Sequence, residues 1–207
     1  MKVNVFLMRH AKVDGAAALY GHTDVGIKAE HNSQALQALL SESLDINRVV
    51  SSPLSRCMSL AEPFSEQSGI ELNIEPAFAE MNFGDFDGVP FDRMSKEEWQ
   101  TLEPFWTTPV TCQLPNAETL EDFHLRVSRA WHRLLQTHQH TLLFCHGGVI
   151  RQILANVLDL DWRNPKLYAA LAIGNATVTQ LQFDSRYPSM ISVKVIGQPI
   201  SSFTLID

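Results

Sequence analysis

The chain has 207 residues, 45% hydrophobic and 19% charged, with a formal net charge of −7. A globular chain of this length buries roughly 70% of its unfolded surface, so a folded domain is expected and disorder is not. With 16 Lys and Arg against 23 Asp and Glu, the chain lacks the basic balance that a nucleic-acid backbone or an anionic membrane rewards, and neither is expected as a partner.

Residues 3–8 form a short apolar run containing Val and Phe, read as a strand that exits into Arg9-His10. Residues 14–27, rich in Gly and Ala, read as a loop. Over 28–43, Ala35, Leu36, Leu39 and Leu40 recur at helical spacing. A short strand at 48–50 leads into Ser51-Ser52-Pro53 and a helix over 55–68, closed by Gly69. Residues 70–74 alternate as a half-buried strand, and 75–91 are broken by Gly84, Gly88 and Pro90. The 91–115 segment, with Trp99, Pro104, Phe105, Trp106 and Pro109, is the least regular and reads as a cap over a strand edge.

Residues 118–138 then form a strongly amphipathic helix, with Leu120, Phe123, Val127, Ala130, Trp131, Leu134 and Leu135 on one stripe. A buried strand at 141–145 exits into His146-Gly147-Gly148 and a helix over 149–158. A further helix is expected at 164–173, then strands at 176–183 and 191–196 around a turn at 184–189. Strand–helix alternation closing on a hairpin gives an α/β sandwich with a mixed sheet. Residues 1–207 read as one domain with 91–115 as the cap insertion.

In an open α/β sheet, chemistry collects beyond the carboxyl ends of parallel strands. Transfer of a phosphoryl group to an imidazole needs one ring nitrogen unprotonated and the other tied down. It also needs cations for the phosphoryl oxygens and an acid for the leaving oxygen. His10, behind Arg9 at a strand exit, is the natural nucleophile. Arg56 lies on the first turn of a helix at a second exit, where guanidinium and helix terminus favour the same anion. His146 stands beside the N–H groups of Gly147 and Gly148, an anion cradle. Glu80, just past the 70–74 strand, is the carboxylate best placed as acid and base. Each residue has an ordinary reading alone: His10 as a surface imidazole, Arg9 and Arg56 as paired or solvated cations, Glu80 as one of 23 acids. Together at four exits they are specific.

The three cysteines, Cys57, Cys112 and Cys145, are odd in number and widely spaced, which fits a reduced, cytoplasmic setting. No stretch approaches a signal-peptide core or a membrane span. His138-x-His140 is the one hint of a metal site, but it falls in a polar turn without a compact ligand set, so no metal and no cofactor are expected.

Leu7-Met8-Arg9-His10-Ala11, Ser51-Ser52-Pro53-Leu54-Ser55-Arg56, Glu80-Met81-Asn82-Phe83-Gly84 and His146-Gly147-Gly148-Val149-Ile150-Arg151 resemble the histidine phosphatase superfamily, in its phosphoglycerate-mutase-like branch. The resemblance runs through nearly the whole chain. It implies a three-layer α/β/α fold with a mostly parallel mixed sheet, phosphorylation of His10, and Arg9, Arg56 and His146 holding the phosphoryl group. It implies Glu80 as proton donor and then as base for hydrolysis, without metal. It also places Gly21 and His22 in a loop beside the pocket, where His22 is expected to reach substrate.

The sequence departs from the family pattern at Ala11, Lys12-Val13, Ala16 and His31, which bears on substrate affinity more than on the chemistry. A mutase of this superfamily tends to carry a tail closing over its pocket; the sequence runs only to Asp207 after the hairpin, so hydrolysis is expected. Trp99, Phe105 and Trp106 suit stacking on a planar group. The 80–88 segment, the short aromatic cap and Asn116-Ala117-Glu118-Thr119 before a helix with Arg126 are similar to the α-ribazole phosphatases, which remove the 5′-phosphate of a benzimidazole riboside in cobalamin assembly. The expected partner is therefore a small-molecule phosphate ester, with a homodimer left open. Alternatives are a broad sugar-phosphate phosphatase resembling fructose-2,6-bisphosphatase and, in another class, a non-catalytic phosphate or phosphoprotein binder on the same fold. Retention of Glu80 argues against the binder. Arg56→Ala is expected to lower turnover more than stability, its partner being substrate.

Overall fold

The computed structural model describes residues 1–42, 44–203 and 205–206. Six strands, β1 (Lys2–Arg9), β2 (Arg48–Ser51), β3 (Leu72–Ile74), β4 (Thr141–Cys145), β5 (Thr177–Asp184) and β6 (Tyr187–Pro199), form one sheet in the order β3-β2-β4-β1-β5-β6. The β3–β2, β2–β4 and β4–β1 pairs are parallel, and β1–β5 and β5–β6 are antiparallel. The helices are α1 (Ala29–Ser41), α2 (Ser55–Ser68), α3 (Lys96–Thr107), α4 (Leu120–Leu135), α5 (Gly147–Leu158) and α6 (Lys166–Ala169).

Alternation along the strands assigns the two faces of the sheet. Val5, Leu7, Val50, Leu143 and Leu181 pack with Phe123, Val127 and Trp131 of α4 and Ile150 and Ile153 of α5. Their sequence neighbours Phe6, Met8, Val49, Leu142 and Phe144 pack on the opposite side with Ala35 and Leu39 of α1 and Cys57, Leu60 and Phe64 of α2. This is the three-layer sandwich with a mostly parallel mixed sheet. Each fully buried Leu or Phe contributes about 1.5–3 kcal/mol. Pro63 inside α2 cannot donate to the Ser59 carbonyl; Asn32 Nδ2 of α1 donates to it instead at 2.5 Å, tying the two helices together.

Register brings the chemistry-bearing exits level. Arg9 pairs with Cys145 and Ser51 with Phe144, so β1, β2 and β4 end side by side. The His10 amide donates to the Cys145 carbonyl at 3.1 Å.

Several local expectations are corrected. The 91–115 segment is not irregular throughout: Lys96–Thr107 is a helix, opened by a reciprocal Ser95–Glu98 capping box. Its Leu102 and Phe105 join the same core as α4 and α5. The 70–74 strand shrinks to three residues because it pairs only with β2 at the sheet edge, and Ile74 is 54% exposed. The helix expected over 164–173 is only α6; beyond it the chain turns away, and the Leu171 and Ile173 carbonyls accept from Arg151 and Arg9. β6 begins at Tyr187, shortening the expected 184–189 turn. The end of the expected 28–43 helix, Ser43, and the final Asp207 lie outside the described residues.

Leu143 is fully buried at the centre of the sheet. Leu143→Ala is expected to cost about 2–5 kcal/mol. Urea unfolding should show this as a lower midpoint at unchanged slope; a midpoint equal to that of the parent would contradict this packing.

Candidate active site

His10 leaves β1 only 7% exposed, and its Nδ1 lies 2.7 Å from the Ala11 carbonyl oxygen. A carbonyl only accepts, so Nδ1 carries the proton and Nε2 keeps its lone pair. Burial first, then the charges of Arg56 and Arg9, push the imidazole down to about 3, against the raising effect of the Ala11 bond. His10 is therefore a neutral imidazole with a fixed tautomer across the physiological range.

His146, fully buried as the residue before α5, packs its ring 5.2 Å from that of His10. Its Nδ1 accepts from Arg56 Nε at 3.3 Å, which leaves Nε2–H to donate to Ser52 Oγ at 2.7 Å. Burial first, then Arg56 and His10, drive this imidazole well below its ordinary value. Cys57 Sγ lies 3.5 Å from His146 Nε2, and burial pushes that thiol up to about 12. All three cysteines are unpaired.

The arginines divide by what they hold. Arg56 is fully buried, and besides His146 it donates to the Thr23, Tyr20 and Gly21 carbonyls at 3.1, 3.1 and 2.6 Å. It serves the folded chain first, which corrects the expectation that its partner is substrate alone. Arg9 Nη1 donates to the Ile173 carbonyl, while its Nε is buried without a hydrogen-bond partner among the described residues. That unsatisfied donor lies close to Gly147 at the start of α5, where helix amides favour an anion.

Glu80 sits in a stretch without regular structure, yet its carboxylate is held at both oxygens. Gly148 N donates to Oε2 at 2.9 Å and Met81 N to Oε1 at 3.1 Å. A Cβ at 148 would collide with this carboxylate, so a side chain there would push Glu80 out of its present place.

The structure brings Arg9, His10, Glu80 and Gly147 together at the sheet edge, with Arg56 and His146 buried directly behind them. A cleft of about 420 Å³ is lined by Arg9, His10, Lys12, Tyr20, Glu80 and Asn175. On the other side of Glu80 lies a second cavity of about 240 Å³, lined by Phe83, Phe105, Trp106, Arg151 and Tyr168 among others. Leu19, Glu80 and Phe83 line both. Trp106 thus faces the cavity, whereas Trp99 is 38% exposed and packs on Phe91 at 5.7 Å, away from it. Gly21 and His22 flank the site, but the His22 ring is engaged by the Glu80 carbonyl, with Nε2 3.0 Å from the oxygen.

Sequence reading missed Asp87. Its carboxylate accepts from the amides of Gly21, His22, Thr23 and Phe83 at 2.7–3.2 Å, so the 20–23 loop has its carbonyls on Arg56 and its amides on Asp87. Burial raises the Asp87 carboxyl, yet the bonds from Thr23, His22 and Phe83 outweigh it and hold the group below its usual range. Acids between two glycines in Gly84-Asp85-Phe86-Asp87-Gly88 were the available signal. Among the described residues no group of three or more His, Cys, Asp or Glu could hold a metal ion, and no helix is long and apolar enough to cross a membrane.

A family model described as histidine phosphatase superfamily (branch 1) matches residues 5–195. A curated relative in Escherichia coli, "Probable phosphoglycerate mutase GpmB", is 25% identical over 171 residues, 80% of either chain. The native structure of a mycobacterial glucosyl-3-phosphoglycerate phosphatase superposes with a TM-score of 0.80 at 20% identity, covering 96% of this chain and all of the other. The α-ribazole phosphatase from Shigella flexneri gives a TM-score of 0.80 at 19% identity, covering 99% of this chain and all of the other.

Removing the Arg56 side chain strands three backbone carbonyls at about 1–3 kcal/mol each where they are shielded from water. Arg56→Ala is therefore expected to lower the unfolding free energy by roughly 3 kcal/mol; an unchanged thermal midpoint would contradict these contacts. The histidines also set a pH dependence. His10 takes up a proton near 6.5 when unfolded and only near 3 when folded, so between these values the unfolded chain binds more protons. Stability should decline steadily as pH falls from 6.5 toward 3, and His10→Asn should flatten part of that slope in urea titrations at successive pH values. A parental profile flat across this window would contradict the buried neutral imidazole.

Proposed function

The chain belongs to the histidine phosphatase superfamily, branch 1, and on that footing we propose that it hydrolyses a small-molecule phosphate monoester through a phosphohistidine on His10. The observation that carries this reading is the buried His10 imidazole with its proton on Nδ1 and its lone pair on Nε2. In the first step the Nε2–P bond forms as the P–O ester bond breaks, and the leaving oxygen takes the proton of the Glu80 carboxyl. In the second, water attacks phosphorus, the N–P bond breaks, and Glu80 accepts a proton from the water.

Arg9 and the N-terminal dipole of α5 at Gly147 supply the positive field for the phosphoryl oxygens, the Gly148 amide being held by Glu80. Arg56, anchored on carbonyls, contributes its charge at short range and opposes protonation of His10. His146, with both ring nitrogens engaged, supports the site from behind by holding Arg56 Nε and packing on the His10 ring.

For the leaving group we propose a planar apolar moiety, with α-ribazole 5′-phosphate, in cytosolic cobalamin assembly, as the substrate. The 91–115 segment then acts as the specificity cap, contributing Phe105, Trp106 and Pro109 to the cavity behind Glu80. That position, with Glu80 between phosphate cleft and aromatic walls, suits an ester oxygen at the boundary. A second reading, a sugar phosphate with a further anionic group, is favoured by one observation, the Arg151 guanidinium on the cavity wall. The benzimidazole riboside fits the predominantly apolar lining better.

Rapid-quench labelling should trap an acid-labile phosphoryl group before phosphate release, absent in His10→Asn. Across a panel of monoesters, α-ribazole 5′-phosphate should give the highest kcat/KM, ahead of glycolytic sugar phosphates by about tenfold or more, the scale of one well-filled apolar pocket. A sugar phosphate at the top of the panel would overturn the substrate assignment. An acid-stable label, or none with turnover intact, would overturn the mechanism.

A further inference from the structure

Glu80 works as proton donor only if its carboxyl stays between the cleft and the cavity, yet Glu80–Phe83 has no regular structure to hold it there. One guanidinium on α4 supplies that support. Arg126 Nη1 donates to the Ala77 and Ala79 carbonyls at 2.9 and 2.8 Å, and Nη2 donates to the Glu80 carbonyl at 2.9 Å. Its remaining bonds go to Glu118, from Nε to Oε1 at 2.5 Å and from Nη2 to Oε2 at 2.9 Å.

A guanidinium has five N–H donors, and these five bonds use its full complement. Glu118 closes the circuit, since its Oε2 also accepts from the Asn82 amide at 3.3 Å and its own amide donates to the Asn82 carbonyl at 3.0 Å. Both side chains are largely withdrawn from water, 24% and 15% exposed, so the pair is screened less than a surface ion pair. A regular element would hold the 79–83 backbone through its own ladder; here a bidentate ion pair between Arg126 of α4 and Glu118 just before it does so from outside.

We infer that Arg126 and Glu118 are a positioning pair for Glu80, fixing its backbone so that its carboxyl meets the leaving oxygen. Neither residue lines the 420 Å³ cleft or the 240 Å³ cavity, so neither touches the reacting atoms. The His22 ring on the same Glu80 carbonyl is a lesser, exposed support. The inference rests on the reading of Glu80 as acid and assigns the pair a role in protonating the leaving group rather than in holding phosphate.

The test compares p-nitrophenyl phosphate, whose leaving group needs little protonation, with 2-phenylethyl phosphate, whose alkoxide needs a proton. Glu80→Gln sets the reference, with kcat on the alkyl ester expected to fall at least tenfold more than on the nitrophenyl ester. Arg126→Met and Glu118→Gln should reproduce that selective loss with KM on both esters within about twofold, and Arg126→Lys, keeping a charge but not the fork, should fall between. Glu80→Gln/Arg126→Met should lose little beyond Glu80→Gln alone on the alkyl ester, because both act on one step.

Equal losses on the two esters in Glu118→Gln, which is nearly isosteric and keeps its fold by circular dichroism, would overturn the positioning role. Additive losses in the double variant would do the same. Absence of the split in Glu80→Gln itself would instead overturn the reading of Glu80, and this inference with it.

Discussion

Everything in this site depends on keeping an imidazole neutral while it is buried beside two arginines. A hydrated histidine at the same position would change charge near neutral pH and offer either nitrogen. Burial among cations opposes protonation, and the bond from Nδ1 to the Ala11 carbonyl decides which nitrogen retains the lone pair. The sheet imposes both conditions, because the His10 amide is still paired to β4 while the side chain has passed the last strand residue.

The cationic field is built economically from guanidinium groups, and most of their donors never face solvent. Arg56 bonds carbonyls of the 20–23 loop and His146, Arg126 bonds carbonyls around Glu80, and Arg151 Nε bonds the Leu171 carbonyl. A buried charge without such partners would cost several kcal/mol, so pairing with backbone dipoles is what makes the cluster tolerable in a folded chain. Arg9 Nε differs, buried and without a hydrogen-bond partner among the described residues, next to the α5 N-terminus. That asymmetry makes one donor available to an anion while its neighbours hold the walls.

The strand exits were legible because they obey local rules. Apolar runs of strand length ending in Arg9-His10 and His146-Gly147 give away both their element type and the end at which chemistry sits, and the helix over 55–68 is bounded as its sequence says. What was not legible is who receives each donor. The carbonyls that bind Arg56 come from Tyr20, Gly21 and Thr23, which no spacing rule connects to position 56. The carbonyls just past the short α6 are a similar case, since Leu171 and Ile173 accept from Arg151 and Arg9, which no spacing rule links to them. The helix at Lys96–Thr107 is different, because its Ser95-x-x-Glu98 capping box is a local signal that the sequence itself carries.

The most direct measurement is the nitrogen-15 spectrum of His10 in the free protein between pH 8 and pH 5. A neutral ring with Nδ1 protonated and Nε2 bare, unchanged across that range, is the expected result. A ring that titrates near 6.5, or one that carries its proton on Nε2, would contradict the nucleophile on which the site is built.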